Sequence, residues 1–144
     1  MLEQPVVKFI DDDNLILMED YTFEWSKGFG KIKRTYEITA YKGFVYDMAS
    51  VPWLGRLFID RHGLIGGPAT IHDLIYVARG IFPHKYGHFR QKIGDDWVDV
   101  PTPIKRKLAD KMFLRMMKAA KIWVLKRQAA YRIVRAGGWV YWNT

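Results

Sequence analysis

Two hydrophobic periods divide this chain between them. From Tyr21 to Trp25, and again from Thr35 to Tyr41, aromatic and branched residues alternate with polar ones, the pattern of a half-buried strand. Further on, Ala109, Met112, Phe113, Met116 and Ala120 recur at helical spacing, with Lys107, Lys111, Arg115 and Lys118 on the other side. A chain with its strands first and its helices after belongs to the α+β class.

The remaining elements follow from punctuation. Val6 to Ile10 is a short apolar run closed by the turn signal Asp11-Asp12-Asp13-Asn14, and Leu15 to Met18 follows it. Ser26 to Lys31 reads as a hairpin connection, and Phe44-Val45-Tyr46 opens another strand after Lys42-Gly43. Residues 1–46 are therefore expected to form a small antiparallel sheet. Residues 47–67 read as a long loop with room for a helical turn around Leu54–Ile59. A connection of that length is usually functional or disordered, and its apolar content argues against disorder.

Residues 68–144 are expected to be helical. One helix runs from Pro68 to about Arg79 and is ended by Gly80. A second starts at Thr102-Pro103, read as N-cap and first helical residue, and runs to about Lys121. A third covers Trp123 to Ala136 and stops at Gly137-Gly138. Residues 80–102, broken by Pro83, Gly87, Gly94 and Pro101, read as an irregular insertion with room for a short β-wing. No repeat, linker or low-complexity tract divides the chain. The expectation is one domain over 1–144, with a small N-terminal antiparallel β-sheet packed on a C-terminal three-helix core.

The absence of cysteine excludes a disulfide framework, a thiolate zinc site and a cysteine nucleophile. No stretch approaches the roughly 18 consecutive apolar residues of a membrane span. Met1 to Pro5 has neither the basic nor the apolar region of a signal peptide, so a soluble protein made in the cytoplasm, or packaged from there, is expected. The formal net charge of +8 is unevenly placed: Lys105 to Arg135 holds eleven basic residues and a single acid, Asp110. Such a segment suits an anionic partner (nucleic acid, an acidic membrane surface or an acidic protein), and equally suits a solvated helix surface. No helix-turn-helix, zinc-finger or aromatic RNA-binding motif is present, which puts nucleic acid last among these. His84 and His88 would ligate a metal together only on a helix, and Pro83 and Gly87 favour a loop.

The chemistry concentrates elsewhere. His72-Asp73 stands in the middle of an apolar helix, where a charged pair is costly to bury unless paired or bound. Tyr76 lies one turn after His72 on the same face. If the first two helices pack antiparallel, Asp110 reaches the His72 ring, fixes its tautomer and stabilises the imidazolium, as a general base requires. Tyr76 can donate to the same carboxylate. Asp73 points elsewhere, and with Asp47 and loop carbonyls it would make an oxygen-only site for a hard cation such as Ca²⁺. That ion would polarise an ester carbonyl while His72 deprotonates a water. The alternative is structural: a core histidine bonded to Asp110, Asp73 paired locally, and Asp47 anchoring a turn.

Four blocks, Gly43 to Pro52, His72 to Tyr76, Ala109 to Phe113 and Tyr131 to Gly137, resemble a phage- and prophage-associated family known as domain of unknown function 1353. That resemblance implies a viral origin and no activity. The same blocks are similar to the core of the phospholipase A2 superfamily, especially its small bacterial members. This second resemblance implies His72 as general base, Asp110 as the residue orienting it, Tyr76 bonded to Asp110, and Asp73, Asp47 and the Met48 carbonyl as calcium ligands. The chain departs from that pattern in lacking disulfides and a glycine-rich calcium loop, and in its longer step from His72 to Asp110.

The function expected is a phage-encoded, calcium-assisted lipid esterase acting on the host envelope. Its basic helices would face anionic phospholipid, with Trp123, Trp139 and Trp142 as interfacial aromatics. The alternative is a non-enzymatic tail or baseplate component that keeps the fold and contacts other virion proteins. Virion or host cytoplasm is the expected location.

Overall fold

A computed structural model describes residues 3–11, 14–47 and 66–143. Seven strands precede or interrupt the helices: β1 (Val7–Phe9), β2 (Asn14–Leu17), β3 (Tyr21–Lys27), β4 (Arg34–Ala40), β5 (Val45–Asp47), β6 (Gly87–Ile93) and β7 (Asp96–Asp99). The helices are α1 (Gly66–Ala78), α2 (Arg106–Ala119), α3 (Val124–Gly137) and the single turn α4 (Trp139–Trp142). The class is α+β.

The strands form two antiparallel sheets, where one was expected. The first has the order β1-β2-β5 and the second β3-β4-β6-β7. The larger one takes two of its strands, β6 and β7, from 80–102. The second half of that segment is a regular hairpin, and β6 pairs along β4 with Ile38 opposite Phe89, so the larger sheet is completed from the middle of the chain. In β3 the alternation is realised in full: Tyr21, Phe23 and Trp25 are buried, while Thr22 and Glu24 face solvent.

Both sheets and the inner faces of α1 and α2 share one apolar core. Ile38, Ala40, Phe44, Leu74 and Ile75 have no exposed surface within it. Each large aliphatic or aromatic side chain buried there contributes about 1.5–3 kcal/mol. A second cluster, with Phe113, Met117, Ile122, Ala130 and Val134, joins α2 to α3.

Helix ends depart from expectation in two places. Thr102-Pro103 does not open α2; the N-cap is Lys105. The chain first buries Ile104, whose N–H donates to the Gly80 carbonyl at 2.9 Å, so the backbone cannot enter the helix until that contact is made. At the end of α1 the left-handed turn falls on Arg79 (φ 51°) as well as Gly80 (φ 72°). Arg79 N–H donates to Tyr76 and Gly80 N–H to Ile75, the paired bonds of a Schellman motif. Lys121 (φ 58°) and Ile122 close α2 in the same way. No described helix is long and apolar enough to cross a membrane.

Candidate functional site

Helices α1 and α2 run antiparallel: His72 meets Asp110 and Phe113, and Tyr76 meets Asp110 and, a turn earlier on α2, Arg106. The contact is laid out by helical spacing on both sides. His72 and Tyr76 stand one turn apart on α1, while Arg106 and Asp110 stand one turn apart on α2.

Asp110 has no exposed surface, and His72 keeps 8% of its own. His72 Nε2 lies 2.8 Å from Asp110 Oδ1, and the Tyr76 hydroxyl donates to the same oxygen at 2.6 Å. Arg135 Nη1 donates to Oδ2 at 2.8 Å, and Arg106 Nη1 stands 3.4 Å from it. Burial disfavours the Asp110 carboxylate, but the hydrogen bonds from His72 and Tyr76 and the Arg135 guanidinium outweigh it and hold the carboxyl below its usual range. Burial, together with the adjacent Asp110, pushes the Tyr76 phenol well up, so it stays a donor.

An ionised carboxylate only accepts, so the proton between Asp110 and His72 belongs to Nε2. In the neutral ring this leaves the lone pair on Nδ1, the tautomer a general base needs. The ring is clamped between Tyr76 (centroids 4.3 Å apart) and Phe113 (4.5 Å). Trp142 packs edge-on against Tyr76 at 5.1 Å and is partly buried. Trp123 and Trp139 are 68% and 55% exposed.

Asp73 lies on α1 one turn after Thr70, and the Thr70 and Tyr46 hydroxyls hydrogen-bond at 2.8 Å. Tyr46 is pushed up to about 12 by burial, opposed by the Thr70 bond and reinforced by the Asp73 charge. Asp73 thus stands near the end of β5, where Asp47 follows Tyr46 in sequence. The Asp47 side chain, Met48, the rest of the 47–67 loop up to Ile65 and its helical turn at Leu54–Ile59 lie outside the described residues. His84 and His88 are not on a helix: His88 lies in β6, bonded to Tyr41 at 2.8 Å and to Glu37 at 3.3 Å.

Arg106 and Arg135 were missed from sequence. Arg106 had a signal, since it precedes Asp110 by one helical turn. Arg135 had none, because only the packing of α3 on α2 brings it to Asp110.

Fold and site together define an α+β protein whose two antiparallel helices hold a His-Asp-Tyr cluster, centred on a buried carboxylate and locked by two arginines. The family described as protein of unknown function (DUF1353) matches residues 29–134, which include His72, Tyr76 and Asp110, and the chain belongs to that family. No curated protein and no solved structure matches it.

Proposed function

We propose that this protein is a phospholipase A2-like hydrolase that cleaves a membrane-lipid ester with His72 as general base. The observation that carries the reading is the His72–Asp110–Tyr76 arrangement, in which Nε2 and the Tyr76 hydroxyl meet one oxygen of a buried carboxylate and Nδ1 is the ring nitrogen left over. In this reading Nδ1 accepts a proton from water as the water attacks the ester carbonyl, and returns it to the leaving alcohol oxygen as the tetrahedral intermediate collapses and the ester C–O bond breaks. Asp110 holds the ring in place and offsets the imidazolium charge, and Tyr76 and Arg135 keep Asp110 ionised and fixed. Calcium, held by Asp73, Asp47 and the Met48 carbonyl, would supply electrophilic polarisation of that carbonyl. The resemblance of the sequence blocks to phage-borne proteins supports action on a host envelope during infection or lysis.

One observation favours a second reading, a non-enzymatic virion component. Asp110 is buried and serves donors on both oxygens, as a purely structural polar core would. The deciding experiment is fatty-acid release from phosphatidylglycerol/phosphatidylethanolamine vesicles, with Ca²⁺ or chelator, by wild type and His72→Ala. The hydrolase reading expects calcium-dependent release that falls at least about 100-fold in the variant. No release by folded wild type, or equal release by the variant, sinks it and leaves the structural role.

A further inference from the structure

A groove of about 520 Å³ opens between the β3-β4-β6 face and the N-terminal half of α2. Such a volume falls in the range of roughly 300–1,000 Å³ that small-ligand pockets occupy. It is bordered on α2 by Leu108, Lys111, Met112 and Arg115, and none of His72, Tyr76, Arg106, Asp110, Phe113 and Arg135 lines it. The groove is therefore separate from the His72 cluster, and nothing below rests on the hydrolase reading.

Its floor and walls are apolar. Trp25 stacks on Tyr36 at 5.6 Å and on Phe89 at 5.9 Å, and Val100, Ile104 and Leu108 continue the lining. Its charged residues are all positive: Lys27, Arg34, Lys111 and Arg115, with no Asp or Glu among the described residues that line it. Lys27 and Arg34 are register partners across β3 and β4, and like charges directly opposite repel. Lys111 and Arg115 are one turn apart on α2, where like charges also repel. Arg115 ties the two pairs together by donating to the Ser26 carbonyl at 3.1 Å. The fold thus holds four cations around one apolar opening against their mutual repulsion, and a bound anion relieves it.

We propose that this groove binds a single-chain amphiphile with a phosphate head, the chain lying along Trp25, Phe89 and Leu108 and the head among the four cations. Phosphate is favoured over carboxylate because four cations, two of them arginines with forked donors, match a multiply charged oxyanion. A groove of about 520 Å³ is at the scale of one small amphiphile.

The test is calorimetric titration of the full chain with dodecyl phosphate below its critical micelle concentration. Dodecanoate, dodecyl maltoside and inorganic phosphate are run beside it. Dodecyl phosphate is expected to bind one-to-one, and each of the other three at least about 10-fold more weakly. Arg34→Gln/Lys111→Gln, two exposed positions, is expected to weaken it by about 10-fold or more with a melting temperature no lower than that of wild type. Leu108→Glu, which sets a negative charge in the wall, is expected to abolish it. The proposal is overturned if dodecyl phosphate fails to bind or binds both variants as it binds wild type. Equal binding of maltoside or inorganic phosphate overturns the amphiphile, and equal binding of dodecanoate the phosphate. Displacement by a lower concentration of single-stranded oligothymidine would assign the groove to nucleic acid instead.

Discussion

Each oxygen of the Asp110 carboxylate faces two donors, His72 and Tyr76 on one side and Arg135 and Arg106 on the other. Removing one partner of a buried charge cluster leaves the others desolvated and uncompensated. Asp110→Ala is expected to cost about 3–5 kcal/mol of unfolding free energy in urea titration. The same carboxylate sets an acid limit. Its folded pKa is depressed, so its contribution is present above the unfolded value near about 4 and is lost as pH falls through the folded one. His88 adds a second acid-sensitive step. Burial, with Arg90, lowers its pKa against the opposing pull of Glu37. Its neutral form is the one the fold favours, and the contribution is complete above about pH 6.5 and declines as pH drops through the folded value. Melting temperature against pH should thus fall in two stages on acidification, and His88→Gln should shrink the earlier one, to which His84, its pKa also lowered by burial, adds. A single fall, unchanged in the variant, would contradict this.

Among the elements, legibility followed how local each signal was. Strands β1 to β5 could be read because alternation and turn residues are neighbours in sequence. The meeting of His72, Tyr76 and Asp110 could be read because helical spacing fixes each face and antiparallel packing does the rest. The membership of β6 in the larger sheet, the role of Arg135, and a groove whose cations come from β3, β4 and α2 could not, because each depends on distant segments coming together. Thr102-Pro103 carried a strong local helix-start signal, and tertiary packing overrode it: Ile104 is buried and bonded to Gly80 before α2 begins. That junction gives a sharp prediction. A Cβ at Gly80 would run into the Ile104 carbonyl at a left-handed φ of 72°, whereas one at Gly43, φ 91°, meets open space. Gly80→Ala should therefore lose about 3 kcal/mol or more, from strain and collision together. Gly43→Ala should lose only the backbone term, about 1 kcal/mol. Equal losses in chemical denaturation would mean the Gly80–Ile104 junction gives way at little cost.

For the molecule as a whole, the arrangement of charge against exposed apolar surface matters more than the net value of +8. Trp123, Val124 and Leu125 are consecutive, exposed, and set between Lys121 and Lys126 at the start of α3. Trp139 and Val140 are exposed just beyond its other end. Fourteen residues of helix separate the two apolar ends by about 21 Å. In the hydrolase reading these apolar anchors would enter the headgroup layer of an anionic bilayer, with Lys121, Lys126 and Arg132 against phosphate. Binding to phosphatidylglycerol-containing vesicles should then weaken steeply with added salt and be absent for purely zwitterionic vesicles. Trp123→Ala/Leu125→Ala should reduce vesicle partitioning by about 10-fold or more at constant charge, because it removes apolar burial alone. Co-sedimentation across a salt series separates the two contributions. A variant that binds as wild type would show that the exposed Trp123–Leu125 patch does not enter the bilayer. Salt-insensitive binding would show that the basic helices do not face it.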